Sequence, residues 1–505
     1  MEARARKPRQ AALMLGLAFG LILAVGSSLA WMLARAGARG PVHILLVTPA
    51  QGSASGLDPA ECRAIGALAQ DRLECYGGMA VTSVTELPTD LGPVRTRPHT
   101  RVLVLEPRRQ GNDLVLALRE AAGERMQAGE ATRWIRHPAR PLPPVQAFAA
   151  FDRAVGLVRQ DVPGYLTPRD PGRFWNLIRA TALRLQNDHM AEAAALARTV
   201  VEAEPDCGTG WVLLGNIQYR RLLNHPAAFR QEQAEAETLL KRALTLVPGH
   251  PRATLLLSLM ESDNGNQRDA LNLLIQARRY QPNNPLLLTG LAYAARGAGL
   301  LPLARRAMDL RDSLAFSEYL PQAVDITCLY TGEIPRFEAS LQDRPGHLRN
   351  TTGVLAFYRG YLALVQGDRA KAHAEFTAAR QAPHGYPNIL SLSEVFDLIL
   401  DGRKDEAWKA LRAFDQERLG MREPDGEFTI RLAEAYALLG DRASAMEMAT
   451  RAFARGFGCT AWYERSPLLA PLRGLPRWKA LMQHLRERQS LMEEAFPASL
   501  VENPA

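Results

Sequence analysis

The chain has 505 residues, 47% of them hydrophobic and 23% charged, with 61 Lys and Arg against 53 Asp and Glu, for a net charge of +8. That length exceeds one ordinary core, so two or more packed units are expected. The basic residues are scattered among acidic ones, with no long basic run, zinc-ligand spacing or stacked-aromatic motif, so an Arg-rich proteome or attraction to anionic envelope surfaces explains the charge more simply than nucleic acid does.

From Ala11 to Ala34 there is no charged side chain, and these 24 residues make about 36 Å of helix, enough to cross a bilayer. The run is longer than the apolar region of a cleavable signal, which predicts a retained transmembrane helix over 11–34 behind a cytoplasmic segment, 1–10. Arg4, Arg6, Lys7 and Arg9 precede it, and only Arg35 and Arg39 follow it closely. This bias predicts a single-pass protein of the cytoplasmic membrane with its C-terminal bulk outside. Ala12, Gly16, Gly20, Ala24 and Ser28 recur every four residues as a stripe of small side chains. Such a stripe favours close approach of a second helix, in a homodimer or with a partner's span, although Gly and Ala are also simply frequent in membrane helices.

After the break at Gly40-Pro41, "VHILLVTP" reads as a strand, "DPAECRAIGALAQDRLECYGG" as a helix capped near Asp58, and "MAVTSVTEL" as a strand. "TRVLVLEP" and "DLVLALREA" form a hairpin signal around "RRQGN", "GEATRWIRH" offers a further strand, and "VQAFAAFDRAVGLVRQDV" closes the unit as a helix. A small mixed α/β domain over 41–165 is expected. Cys62 and Cys75 lie about 19 Å apart on the one helix, beyond disulfide reach, and the five cysteines of the chain show no CxxC or metal spacing. Buried single thiols are expected.

Ala236, Leu240, Ala243 and Pro248 are matched 34 residues on by Ala270, Leu274, Ala277 and Pro282, and Gly265 and Ala270 by Gly299 and Ala304. A 34-residue period of paired helices is the pattern of helix–turn–helix repeats. Gly360, Gly367, Ala372, Phe376 and Ala379 continue it, as do Gly402 with Ala407 and Gly440 with Ala445. Six or seven helix pairs are predicted over 172–455, with an insertion near "LLNHPAAFRQEQ" and an irregular stretch from Phe316 to Asn350. Trp462, Leu469, Leu472, Arg473, Pro476 and Trp478 are expected to form a capping region over 456–488, followed by a tail, 489–505, the alternative being that Trp462 and Trp478 form a ligand site.

On these residues the chain resembles the tetratricopeptide repeat (TPR) family, with Trp211, Leu214 and Gly215 in its most family-like first helix. Its element order between 42 and 162 resembles the amino-terminal domain of the TolB translocation protein, and the whole outer architecture resembles the periplasmic part of bacterial membrane-anchored winged-helix regulators and TPR-bearing protein kinases. That resemblance implies a Gram-negative cell, whose inner membrane would hold the span and whose periplasm would hold the C-terminal bulk. The expected fold is mainly α, a TPR-like α-solenoid preceded by a transmembrane helix and a small α/β domain.

The resemblance implies a concave groove lined by the first helix of each pair, where repeat alignment puts Asn216, Tyr219, Arg220, Arg252, Tyr358 and Tyr361. The carboxylate clamp of chaperone-binding members is not reproduced, since Val212 and Leu259 stand where a lysine and an asparagine are needed. No HExxH, GxSxG, GxxxxGK[ST] or GxGxxG motif is present, His43 and His137 read as a packed and a solvated histidine, and no enzyme activity, cofactor or metal is expected. The expected function is that of a membrane-anchored scaffold or assembly factor binding other envelope proteins. The alternative is a signalling co-receptor or sensor subunit acting through its transmembrane helix on a separate kinase or transcriptional regulator.

Overall fold

The computed structural model describes residues 41–49, 55–88, 91, 94, 99–121, 134–157, 164–186, 189–224, 229–316, 324–342, 352–382, 387–420 and 426–502. The expected span over 11–34, with Ala12, Gly16, Gly20, Ala24 and Ser28, lies outside them, and among the described residues no helix is long and apolar enough to cross a membrane. The fold is mainly α with one small sheet.

The N-terminal unit contains β1 (His43–Val47), α1 (Pro59–Gly77), β2 (Ala80–Val84), β3 (Thr100–Gln110), β4 (Asp113–Ala121), β5 (Trp134–Arg136) and α2 (Pro144–Val155). The sheet order is β2-β1-β3-β4-β5; β1 is parallel to β2 and β3, while β4 runs antiparallel to β3 and β5. Asp58 and Glu61 close a capping box at the start of α1, and Gly78 ends it in the left-handed conformation. β3 runs past Pro107 to Gln110, so the turn is only Gly111-Asn112, shorter than the sequence pattern indicates. Beyond Val104 the β1 side of β3 has no strand pairing, so a residue without an N–H is tolerated there.

Eight helix pairs follow among the described residues: α3 (Pro171–Gln186) with α4 (Met190–Ala203), α5 (Gly208–Asn224) with α6 (Phe229–Leu246), α7 (Pro251–Asp263) with α8 (Gln267–Tyr280), α9 (Pro285–Ala298) with α10 (Leu301–Leu314), α11 (Ile326–Thr331) with α12 (Ile334–Ser340), α13 (Thr352–Gln366) with α14 (Arg369–Gln381), α15 (Pro387–Leu400) with α16 (Lys404–Gly420), and α17 (Gly426–Leu439) with α18 (Arg442–Ala454). This architecture is compatible with a helical repeat solenoid. The periodic alanines Ala236, Ala270 and Ala304 are wholly buried between helices. Gly265, Gly299, Gly332, Gly367, Gly402 and Gly440 each sit between the helices of a pair at φ from +76 to +87, a backbone that a side chain resists. The insertion near residue 225 lengthens α5 and α6, and the irregular stretch contains the short pair α11–α12.

The two units share one core. Ile44, Leu46 and Leu103 of the sheet belong to the same buried cluster as Phe174, Trp175 and Ile178 of α3 and Leu246 of α6. Phe316, just beyond α10, covers the opposite face of the sheet against Leu45, Val47 and Val102. At the C-terminus α19 (Thr460–Arg465), a 3-10 turn (Pro467–Leu472) and α20 (Pro476–Ala495) end in a second 3-10 turn (Ala498–Val501). Residues 489–501 do not form a separate tail: Met492, Phe496 and Val501 are buried with α8, α9 and α10, and Arg278 Nη2 donates to the Val501 carbonyl at 2.6 Å.

Candidate functional site

Apolar spacing brings the first helices of the early pairs onto one inner face, and α1 lies across it. Ala64, Ala67, Leu68 and Asp71 of α1 meet Leu177, Thr181 and Arg184 of α3, Thr209, Val212 and Asn216 of α5, and Arg252 at the start of α7, around a space of only about 30 Å³. Such a space suits about one or two water molecules and no larger ligand. Asn216 is therefore buried and Arg252 half-buried at a junction within the chain, while Tyr219 and Arg220 are half-buried near the end of α5.

This junction is polar. Glu74 is 1% exposed, accepts from Gln70 Nε2 at 2.8 Å, and has its pKa pushed up to about 7. Burial dominates that shift; Asp71 adds to it, while Gln70, Arg252 and Asn284 oppose it. Burial likewise lowers Arg184 to about 9, helped by Arg252 and Arg220. His250 is fully buried with no hydrogen bond to either ring nitrogen, and burial holds its pKa below the ordinary value, so it is neutral at pH 7.

In the second half the expected groove residues are inside the packing. Tyr361 is fully buried and Tyr358 is 8% exposed, against the open-face position that repeat alignment gives them. Trp462 of α19 packs against Tyr361, with ring centroids 6.2 Å apart, and against Tyr330 at 4.9 Å, while Phe337 of α12 meets Tyr358 edge-on at 6.5 Å. A closed polar network runs beneath. Arg296 donates from Nε and Nη2 to the two carboxylate oxygens of Glu427, at 3.2 and 2.8 Å, and the Tyr330 hydroxyl also donates to Glu427. Arg431 donates to the hydroxyls of Tyr330 and Tyr361, and Tyr361 in turn donates to Glu434 at 2.6 Å. Trp462 Nε1 and Ser466 Oγ complete the Glu434 shell at 3.0 and 2.8 Å. Burial alone would raise the Glu427 carboxyl, but Arg296, then Arg431 and Tyr330, hold it below the ordinary value. Every member is paired, so this arrangement is a structural seal rather than a site awaiting a ligand.

His43 is packed, its Nδ1 2.9 Å from the Leu314 carbonyl. His137 is only partly exposed, and with Pro138, Ala139, Arg140 and Leu142 it forms one wall of a cavity of about 190 Å³. Leu116 and Leu118 of β4, and Ala147, Ala150, Phe151, Arg153 and Ala154 of α2, supply the rest. The sequence reading missed this cavity; its one local signal was the pair of prolines, Pro138 and Pro141, directly after a strand. All five cysteines are free and buried, with Cys207 and Cys459 pushed up to about 12 by burial. Among the described residues no group of three or more His, Cys, Asp or Glu side chains is placed to hold a metal ion.

Compared with known proteins, the chain matches no protein-family model and no curated protein.

Proposed function

We propose that the chain is a membrane-anchored protein-interaction scaffold or assembly factor, in which a TPR-type array and a TolB amino-terminal-like α/β domain form one body held outside the cytoplasmic membrane by the span at 11–34. The observation that carries this reading is the run of eight stacked helix pairs with a left-handed glycine recurring inside the pairs. Stacked pairs of this kind offer extended surfaces suited to other proteins. The early inner face is covered by α1, and in the late one Trp462 packs on Tyr361 and Phe337 on Tyr358, so partner contact belongs to the rim near Tyr219 and Arg220 and not to Tyr358 or Tyr361.

A photo-crosslinking side chain placed at Tyr219 or Arg220 of the full-length protein in cells is expected to capture discrete protein partners. Capture of none at either position, with the protein folded and membrane-bound, would contradict the reading.

A further inference from the structure

The backbone between β5 and α2 explains why a cavity exists in the α/β unit. His137 N donates to the Leu118 carbonyl at 3.0 Å, and Leu142 exchanges both backbone bonds with Leu114, its N–H donating to the Leu114 carbonyl at 3.2 Å and its carbonyl accepting from Leu114 N at 2.8 Å, so the segment is pinned to β4 at both ends. Between the pins, Pro138 and Pro141 have no N–H to give, and Leu114 bridges Leu142 rather than residue 141, so the segment holds one residue more than the β4–β5 register accommodates. Across the gap α2 presents Ala147, Ala150 and Ala154, one helical face of methyl groups that leaves the space between strand and helix unfilled.

The resulting cavity of about 190 Å³ has an apolar floor of Leu116, Leu118, Ala147 and Phe151. An apolar space of about 150 Å³ accepts a molecule the size of benzene, so a single ring with a short substituent fits here. The lining also carries the exposed Arg140 and Arg153, and among the described residues neither has an ion-pair partner. His137 Nε2 is buried beside them without a hydrogen bond, 3.7 Å from a Glu120 oxygen. Glu120 is already engaged by Arg101 through two contacts at 2.7 and 3.0 Å, so its charge is largely answered before a ligand arrives. Apolar floor and cationic lining together select an anionic amphiphile.

We infer that this cavity is a binding site for a small carboxylate with an aryl or short alkyl body, the body over Leu116 and Phe151 and the carboxylate at Arg140 and Arg153. Guanidinium–carboxylate contacts are charge-assisted and give the site its preference for the anion over a neutral isostere.

The test uses full-length protein in lipid nanodiscs and ligand-observed saturation-transfer NMR, with phenylacetate as probe and phenylacetamide as its neutral counterpart. Phenylacetate is expected to bind saturably and about tenfold more tightly than the amide, the preference one charge-assisted contact provides. Arg140→Ala with Arg153→Ala, both surface changes that leave packing alone, should bring the acid down to the level of the amide. Ala150→Leu should fill the cavity and remove both. The inference is overturned if phenylacetate shows no saturable binding below about 10 mM, an affinity below that of most specific ligands, if the double variant keeps the preference, or if the filled variant still binds.

Discussion

Arg296 on α9 and Glu427 on α17 stand 131 positions apart in sequence and form a two-contact ion pair, each side chain about 10% exposed. The pair fastens the second half of the helical array to the first, and the Gly458 N–H reinforces it by donating to the Gly297 carbonyl at 2.7 Å.

Removing one partner leaves the other charge buried. Glu427→Gln is expected to destabilise the protein by roughly 3–5 kcal/mol, whereas Arg296→Met combined with Glu427→Leu should cost markedly less, because the charges leave together. A double-mutant cycle by chemical denaturation measures the difference. Equal and additive losses would show that the pair does not act as a unit.

Gly299 tests the same junction from the backbone. It has φ +85, and a Cβ there would lie 2.3 Å from the Gly458 carbonyl oxygen; Gly367 has φ +83 with nothing nearby. Gly367→Ala should lose only the cost of a left-handed alanine, about 1–2 kcal/mol. Gly299→Ala should lose distinctly more, since the C-terminal segment must also shift, and the lowered midpoint should come with faster proteolysis near residue 458. Matching losses at the two positions would mean that the close approach adds nothing.

Glu74 gives the α1 junction a defined dependence on pH. Its carboxyl rises from an ordinary 4.5 to about 7 on folding, so the folded chain holds a proton that the unfolded chain has released. The sign follows: the group carries no penalty below about 4.5, loses stability as pH rises towards 7, and costs a constant amount above, in total roughly 3 kcal/mol. Glu74→Gln removes the titration, so wild type should lose stability relative to that variant between pH 4.5 and 7. Parallel denaturation profiles across that window would contradict the assignment.

Local patterns made much of this fold legible. Alanines and glycines 34 residues apart mark the helix pairs because close helix packing and left-handed turns demand small residues at those points, and the Asp58 cap was readable for the same kind of local reason. Long-range packing was not legible. Repeat alignment assigns Tyr358 and Tyr361 to an exposed face, yet whether that face is open depends on where α19, which meets Tyr361, and α12, which meets Tyr358, are placed, and no spacing within a repeat encodes that. The same holds for Asn216 and Arg252, which meet α1 from far earlier in the chain. The short pair α11–α12 lacks the buried alanine that marks the others, although Gly332 keeps the left-handed turn at φ +85.

The proposal that partners bind the folded body, with the span serving as an anchor, is tested most directly by crosslinking in intact cells followed by purification and mass spectrometry. Wild type is compared with a version in which residues 11–34 are replaced by an unrelated transmembrane sequence. The scaffold account predicts the same discrete partners in both. Loss of those partners in the replaced version, at equal abundance and membrane insertion, would contradict it and assign the grip to the stripe of Ala12, Gly16, Gly20, Ala24 and Ser28.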